Sequence, residues 1–251
     1  MTLLDGSRAS EGDDTGDSEQ VQGPAGRASR APSHDATLQA LLGSVPVIPV
    51  LTVQRLDHAV PLARALAAGG LRVLEITLRT EAAEDAIRRI AAEVPEAVVG
   101  AGTVTHPAQL EAVAEAGAAF AVSPGLPADL RDAGARSPVP LLPGVMTPTE
   151  AMAAHDAGFR TLKLFPAEAA GGRSLLKSLA GPLPQLRFCP TGGIGSGNFL
   201  GYLALPNVLC VGGSWLAPAK AAEQGDFARI TGLAREAVNL ATDAPSEIST
   251  T

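Results

Sequence analysis

Residues 159–172 read FRTLKLFPAEAAGG. The first seven form an apolar run of strand length, yet Lys163 sits in the middle of it. Lysine is scarce here: Lys163, Lys177 and Lys220 stand against sixteen arginines. A lysine inside an apolar run is therefore not ordinary surface decoration. Period-2 geometry places Thr161, Lys163 and Phe165 on one face of the strand. The run is nearly continuous rather than alternating, which is the pattern of a parallel strand buried on both faces.

Seven more runs of this kind flank it: VPVIPVL (45–51), LRVLEIT (71–77), AVVGAG (97–102), AFAVSP (119–124), VPLLPG (139–144), LRFCPTG (186–192) and VLCVGG (208–213). Helical patterns fill gaps between them. Residues 81–94 repeat Ala83, Ala86, Ile87, Ile90 and Val94 at helical spacing. Residues 107–116 have Pro107 at the start and Gly117 past the end, and 226–241 carry a stripe of Phe227, Ile230, Leu233 and Val238. Eight strands alternating with helices predict a single-domain (β/α)₈ TIM barrel over residues 37–241. A doubly wound sheet is the alternative, but no GxGxxG follows the first strand.

The composition bounds the rest. The chain has 251 residues, 46% apolar but only 3% aromatic, so an aliphatic core is expected. The net charge is −7, of which residues 1–36 hold seven acids and three arginines. That segment is rich in Gly, Ser, Asp, Arg and Pro and is expected to be a disordered tail, as are residues 242–251. No basic stripe suggests nucleic acid, no apolar run is long enough to span a membrane, and, with no apolar stretch after a basic start, a secretory signal is not expected. Cys189 and Cys210 lie in apolar runs without metal-ligand spacing. They read as reduced core thiols of a cytoplasmic protein; a disulfide would need them adjacent and oxidised.

In barrels of this kind chemistry sits where strands end. Glu75 lies within the second strand with Arg79 just beyond it. Thr103 ends the third, Pro124 the fourth. Lys163 and Phe165 belong to the sixth. Thr191, Gly192 and Gly193 follow the seventh, and Ser214 follows the eighth. With Glu75 and Lys163 both inward, a carboxylate and an amine share the mouth. An unperturbed lysine amine, pKa about 10.4, is neutral in only roughly one molecule in 2,500 at pH 7. Desolvation and a neighbouring cation such as Arg79 raise that fraction. A neutral lysine can attack a carbonyl and form a Schiff base. Arg79 can clamp a carboxylate with two hydrogen bonds. The two GG turns leave backbone amides open to an anion such as phosphate. The bland readings are a structural ion pair, a rim salt bridge and ordinary turns.

The motifs VLEITLRT, GAGTV, SPG, LKLFPAEAAGG, RFCPTGGI and VLCVGGSW occur in order. From about Leu41 to about Val238 the chain resembles the 2-keto-3-deoxy-6-phosphogluconate (KDPG) aldolase family, which includes the 4-hydroxy-2-oxoglutarate (KHG) aldolases. The resemblance implies a trimeric class I aldolase of the Entner–Doudoroff pathway, acting on a phosphorylated 2-keto acid with no metal or other cofactor. It implies that Lys163 forms the Schiff base and Glu75 is the general acid/base. Arg79 and Thr191 then bind the substrate carboxylate; Thr103, Pro124 and Phe165 wall the pyruvyl pocket; Gly192, Gly193 and Ser214 hold phosphate. One departure stands out: family members often carry a hydroxyl residue after GGI, whereas this chain has Gly195. KHG cleavage and the C4-epimeric phosphogalactonate substrate remain alternatives. A metal-dependent lyase, for which only His106 is suitably placed among His34, His58, His106 and His155, and a non-catalytic phosphosugar sensor are alternatives of other classes.

Overall fold

Every strand pairing among the described residues is parallel. The computed structural model describes residues 33–244. Its elements run α1 (His34–Gly43), β1 (Val47–Leu51), α2 (Leu56–Ala68), β2 (Val73–Thr77), α3 (Ala83–Glu93), β3 (Val98–Gly102), α4 (Pro107–Glu115), β4 (Ala121–Val122) and α5 (Ala128–Gly134). They continue with β5 (Leu141–Leu142), β6 (Gly144–Val145), α6 (Pro148–Asp156), β7 (Thr161–Leu164), α7 (Gly172–Ala180), β8 (Arg187–Pro190), α8 (Phe199–Leu203), β9 (Val211–Gly213), α9 (Ala219–Gln224) and α10 (Phe227–Asp243).

The architecture is an α/β fold with its parallel strands in a curled sheet. Six strands pair in the order β5-β4-β3-β2-β1-β9 and three in the order β6-β7-β8. Bridges Phe188↔Val208 and Thr191↔Gly212 join the β8 side to the β9 side. The predicted run 139–144 is not one strand. It divides at Pro143, whose ring replaces an N–H and so cannot donate to a ladder. The Pro143 carbonyl still accepts from Lys163 N at 2.8 Å, so the break does not loosen the neighbouring strand.

Helices close over the outside of the strands. In α3, Ala83, Ala86, Ile87 and Ile90 are buried while Glu84 and Asp85 occupy the first turn, where the helix dipole favours acids. Burying a side chain such as Ile87 stabilises the fold by about 1.5–3 kcal/mol. The last helix buries Ile230, Ala234 and Ala237, with Phe227, Leu233 and Val238 packed against the core.

The start of the fold differs in detail from the sequence expectation. α1 begins at His34, ahead of the boundary drawn at residue 37, because Ser33 caps it and Leu38 and Leu42 are buried. Asp35 ties it down: its Oδ1 accepts from Thr161 Oγ1 at 2.8 Å and from Arg160 N at 3.3 Å. α10 extends to Asp243. The rest of the expected tail, and the end of the chain past residue 244, lie outside the described residues.

Candidate active site

Strands β2 and β7 each carry one charge into an apolar interior. All five residues of β2 and all four of β7 are buried. The Glu75 and Lys163 side chains are only 5% and 7% exposed, and Lys163 Nζ stands 3.5 Å from Glu75 Oε1. Desolvating two charges is costly, and an ion pair alone seldom repays it. The Phe165 ring lies 5.2 Å from Nζ, within cation–π range.

Room for these groups comes from glycine. Gly102 is the register partner of Thr77 on β2, and a Cβ added to it would meet the Glu75 carboxylate. Gly212 does the same for Thr191, whose Oγ1 would stand 2.2 Å from an added Cβ. Small residues on one strand thus admit larger polar side chains from the next.

Around the pair, the structure locates the other expected residues. Arg79 is exposed, and its Nε donates to Thr103 Oγ1 at 3.2 Å. Thr103 has φ 62°, the one left-handed residue other than glycine among the described residues. Such a conformation is strained and recurs at functional sites. Pro124 lies two residues past β4, half-buried, and approaches Gly144 closely. Thr191 is 7% exposed and bridges to Gly212. Gly192 and Gly193 have φ 103° and 78°, values that admit glycine readily. Ser214 is exposed just past β9.

Ser214 also lines a cavity of about 400 Å³ with Val50, Thr52, His58, Ala222 and Phe227. This cavity shares only Ser214 with the residues expected to bind substrate, so it flanks the Lys163–Glu75 pair rather than containing it. Next to Ser214, the Trp215 ring packs over Gly213 and lies 5.7 Å from the Phe199 ring.

Of three further features, the cysteines and His106 are singled out by the sequence, and only Asn198 has no counterpart in it. Cys189, the ladder partner of Lys163, has its Sγ 3.6 Å from Cys210 Sγ. Both thiols are free and buried. Burial pushes the Cys210 thiol well above its ordinary range, and its hydrogen bond to Cys189 and the Glu75 carboxylate push the same way. Second, Asn198 folds onto the turn after β8. Third, His106 stands at the start of α4, where Gln109 Oε1 accepts from its backbone N at 3.1 Å. Among the described residues no three of His, Cys, Asp and Glu gather to hold a metal ion, and no helix is long and apolar enough to cross a membrane.

Comparison with known proteins adds a second line of argument. Residues 38–233 match the family described as KDPG and KHG aldolase. The KHG/KDPG aldolase of Escherichia coli K12 is 59% identical over 200 residues, covering 80% of this chain and 94% of that protein. A crystal structure of KDPG aldolase from Legionella pneumophila, with pyruvate captured at low pH as a covalent carbinolamine intermediate, superposes with a TM-score of 0.78. It is 46% identical and covers 80% of this chain and 97% of its own. The KDPG aldolase of Zymomonas mobilis ZM4, solved with 3-phosphoglycerate, gives a TM-score of 0.77 at 48% identity, covering 80% and 94%.

Proposed function

Because the chain belongs to the KDPG and KHG aldolase family, we propose that it is a class I aldolase. It cleaves 2-keto-3-deoxy-6-phosphogluconate reversibly to pyruvate and D-glyceraldehyde 3-phosphate. The observation that carries this reading is the buried contact of Lys163 Nζ with Glu75 Oε1 at 3.5 Å. The relatives with covalent pyruvate and with 3-phosphoglycerate support the two halves of the substrate.

The chemistry follows from that pair. The neutral Lys163 amine attacks the C2 ketone to give a carbinolamine, which loses water to become an iminium. Glu75 relays the protons. Its carboxylate then takes the C4 hydroxyl proton while the C3–C4 bond breaks. The bonding electrons flow into the iminium, leaving an enamine on Lys163 and releasing the aldehyde. Glu75 returns its proton to C3, and water hydrolyses the resulting iminium to free pyruvate and the amine. One carboxylate thus serves as acid and base in turn. Lysine supplies both the nucleophile and the electron sink, so the reaction needs no metal.

In the same reading Arg79 and Thr191 bind the carboxylate, with Thr103, Pro124 and Phe165 forming the walls around the imine. The phosphate falls to Gly192, Gly193 and Ser214. The strand pairings support closure into a (β/α)₈ barrel, a single domain that reaches from α1 at His34 to α10 at Asp243. A cytoplasmic homotrimer completes the proposal; exposed Met146 and Met152 supply apolar surface that a subunit contact would cover. KHG cleavage is the second reading, favoured by the dual name of the Escherichia coli relative. It uses the same pair and leaves the phosphate turn idle.

Borohydride reduction in the presence of pyruvate, followed by peptide mass spectrometry, tests the central claim. A reduced pyruvyl adduct on Lys163 is expected. A folded, pyruvate-saturated sample without adduct would remove the class I reading.

A further inference from the structure

The turn after β8 is shaped by a carboxamide that has left its usual post. Asn198 occupies the N-cap of α8, where an asparagine ordinarily accepts from first-turn amides. Here it makes no such bond. Its side chain reaches back instead: Oδ1 accepts from Gly195 N at 2.8 Å and Nδ2 donates to Gly193 O at 3.1 Å. Nδ2 also approaches Glu168 Oε1 at 3.5 Å, and the buried Tyr202 hydroxyl donates to the same oxygen. The backbone of Glu168 completes the clamp, its N–H donating to Gly192 O at 3.1 Å.

Two successive carbonyls are therefore tied on one side. In a planar trans peptide the C=O and the following N–H point in opposite directions. Fixing Gly192 O and Gly193 O thus aims the amides of Gly193 and Ile194 the other way. Among the described residues neither amide donates to a backbone carbonyl. The place after GGI lacks a hydroxyl side chain, and Asn198 holds the Gly195 amide in its stead.

We propose that Asn198, backed by Glu168, is a positioning residue that presents the Gly193 and Ile194 amides to the substrate phosphate. This rests on the reading of the turn as the phosphate site. Asn198 does not touch the reacting atoms. Its effect falls on the phosphorylated half of the substrate and spares the pyruvyl half.

The test compares Asn198→Ala, Asn198→Asp and Gly193→Ala in the full chain. Cleavage of the phosphorylated 2-keto acid is measured beside deuterium exchange into pyruvate, which needs only the pyruvyl half. Asn198→Ala should raise KM for the phosphorylated substrate about tenfold, with kcat changed by less than about twofold, as expected for losing a hydrogen bond to a charged group's site. KM for pyruvate in exchange should stay put. Asn198→Asp, nearly isosteric, keeps the acceptor, loses the donor and adds charge; it should raise KM further, and it serves if the alanine variant fails to fold. The proposal is overturned if both KM values move together, if kcat alone falls, or if neither changes. Gly193→Ala separates the causes, since its Cβ would stand 2.6 Å from Glu168 Cβ and must displace the turn. If Gly193→Ala raises KM and the Asn198 variants do not, positioning by Asn198 fails alone. If Gly193→Ala also leaves KM unchanged, the turn is not the phosphate site and both ideas fall.

Discussion

A methyl group on Gly102 would stand 2.1 Å from Oε1 of Glu75. The missing side chain of one strand is the space occupied by the carboxylate of the next. Gly102→Ala should therefore push Glu75 away from Lys163 without disturbing the outer helices. A displacement of about 1 Å at a reacting group costs on the order of 100-fold in rate. Steady-state cleavage rates, read beside an unchanged far-ultraviolet circular dichroism spectrum, check this. Retention of near wild-type turnover would mean that the carboxylate has other room.

Glu75→Gln keeps the shape and removes the proton acceptor. Both deuterium exchange into pyruvate and aldol cleavage should slow, by roughly 10²–10⁴-fold for loss of a general acid/base. Borohydride should still trap pyruvate on Lys163, more slowly. Exchange and cleavage at wild-type rates would show that another group moves the protons.

Lys163→Met removes the amine and leaves Glu75 buried without its partner. The variant should be inactive and destabilised, since breaking a buried pair from one side costs about 3–5 kcal/mol. Replacing both charges, as Lys163→Met with Glu75→Leu, should recover most of that loss while activity stays absent. Urea denaturation of the three proteins decides it. A double variant no more stable than the single one would mean that packing, not the stranded charge, set the cost.

The loop leading into α6 has a pH dependence of its own. Glu150 Oε2 accepts from Met146 N at 2.7 Å and Thr147 N at 2.8 Å, while Thr147 Oγ1 accepts from Glu150 N at 3.2 Å. The Met146 amide, chiefly, holds the Glu150 carboxyl below its ordinary value of 4.5; the Thr147 amide and hydroxyl add to this and burial opposes it. A depressed folded pKa contributes stability that is fully present above the unfolded value and is lost as pH falls through the folded one. Melting temperatures of wild type and Glu150→Gln should therefore differ at neutral pH and converge only as pH falls below 4.5 and through the depressed folded value. Thr147→Ala should cost about 0.5–2 kcal/mol at neutral pH. Parallel melting curves across the whole range would discount the cap.

Much of this arrangement was readable in advance for a physical reason. Strands buried on both faces write themselves as unbroken apolar runs, so a charge within one stands out, as Lys163 and Glu75 do. What the runs conceal is interruption: VPLLPG looks like one strand until Pro143 divides it. Pro61 lies inside α2, a helix not singled out from the sequence, since an internal proline weakens the pattern. Contacts between distant segments were not legible. Asn198 meets Glu168 across 30 residues and Tyr202 meets it across 34, and nothing local marks either pairing. Cys189 and Cys210 are neighbours only through the packing of β8 against the segment entering β9. That Gly102 and Gly212 make room for Glu75 and Thr191 is not visible until the strand register is known.

Trp215 is the chain's single tryptophan, and its indole packs on Gly213 beside Phe199, one residue past Ser214. Tryptophan emission from this protein therefore originates at one address, on the rim where phosphate is proposed to dock. Titrating with glycerol 3-phosphate should move that emission, whereas pyruvate, held across the mouth, should leave it nearly still. The molecule carries its own optical gauge, able to tell which half of a substrate has arrived.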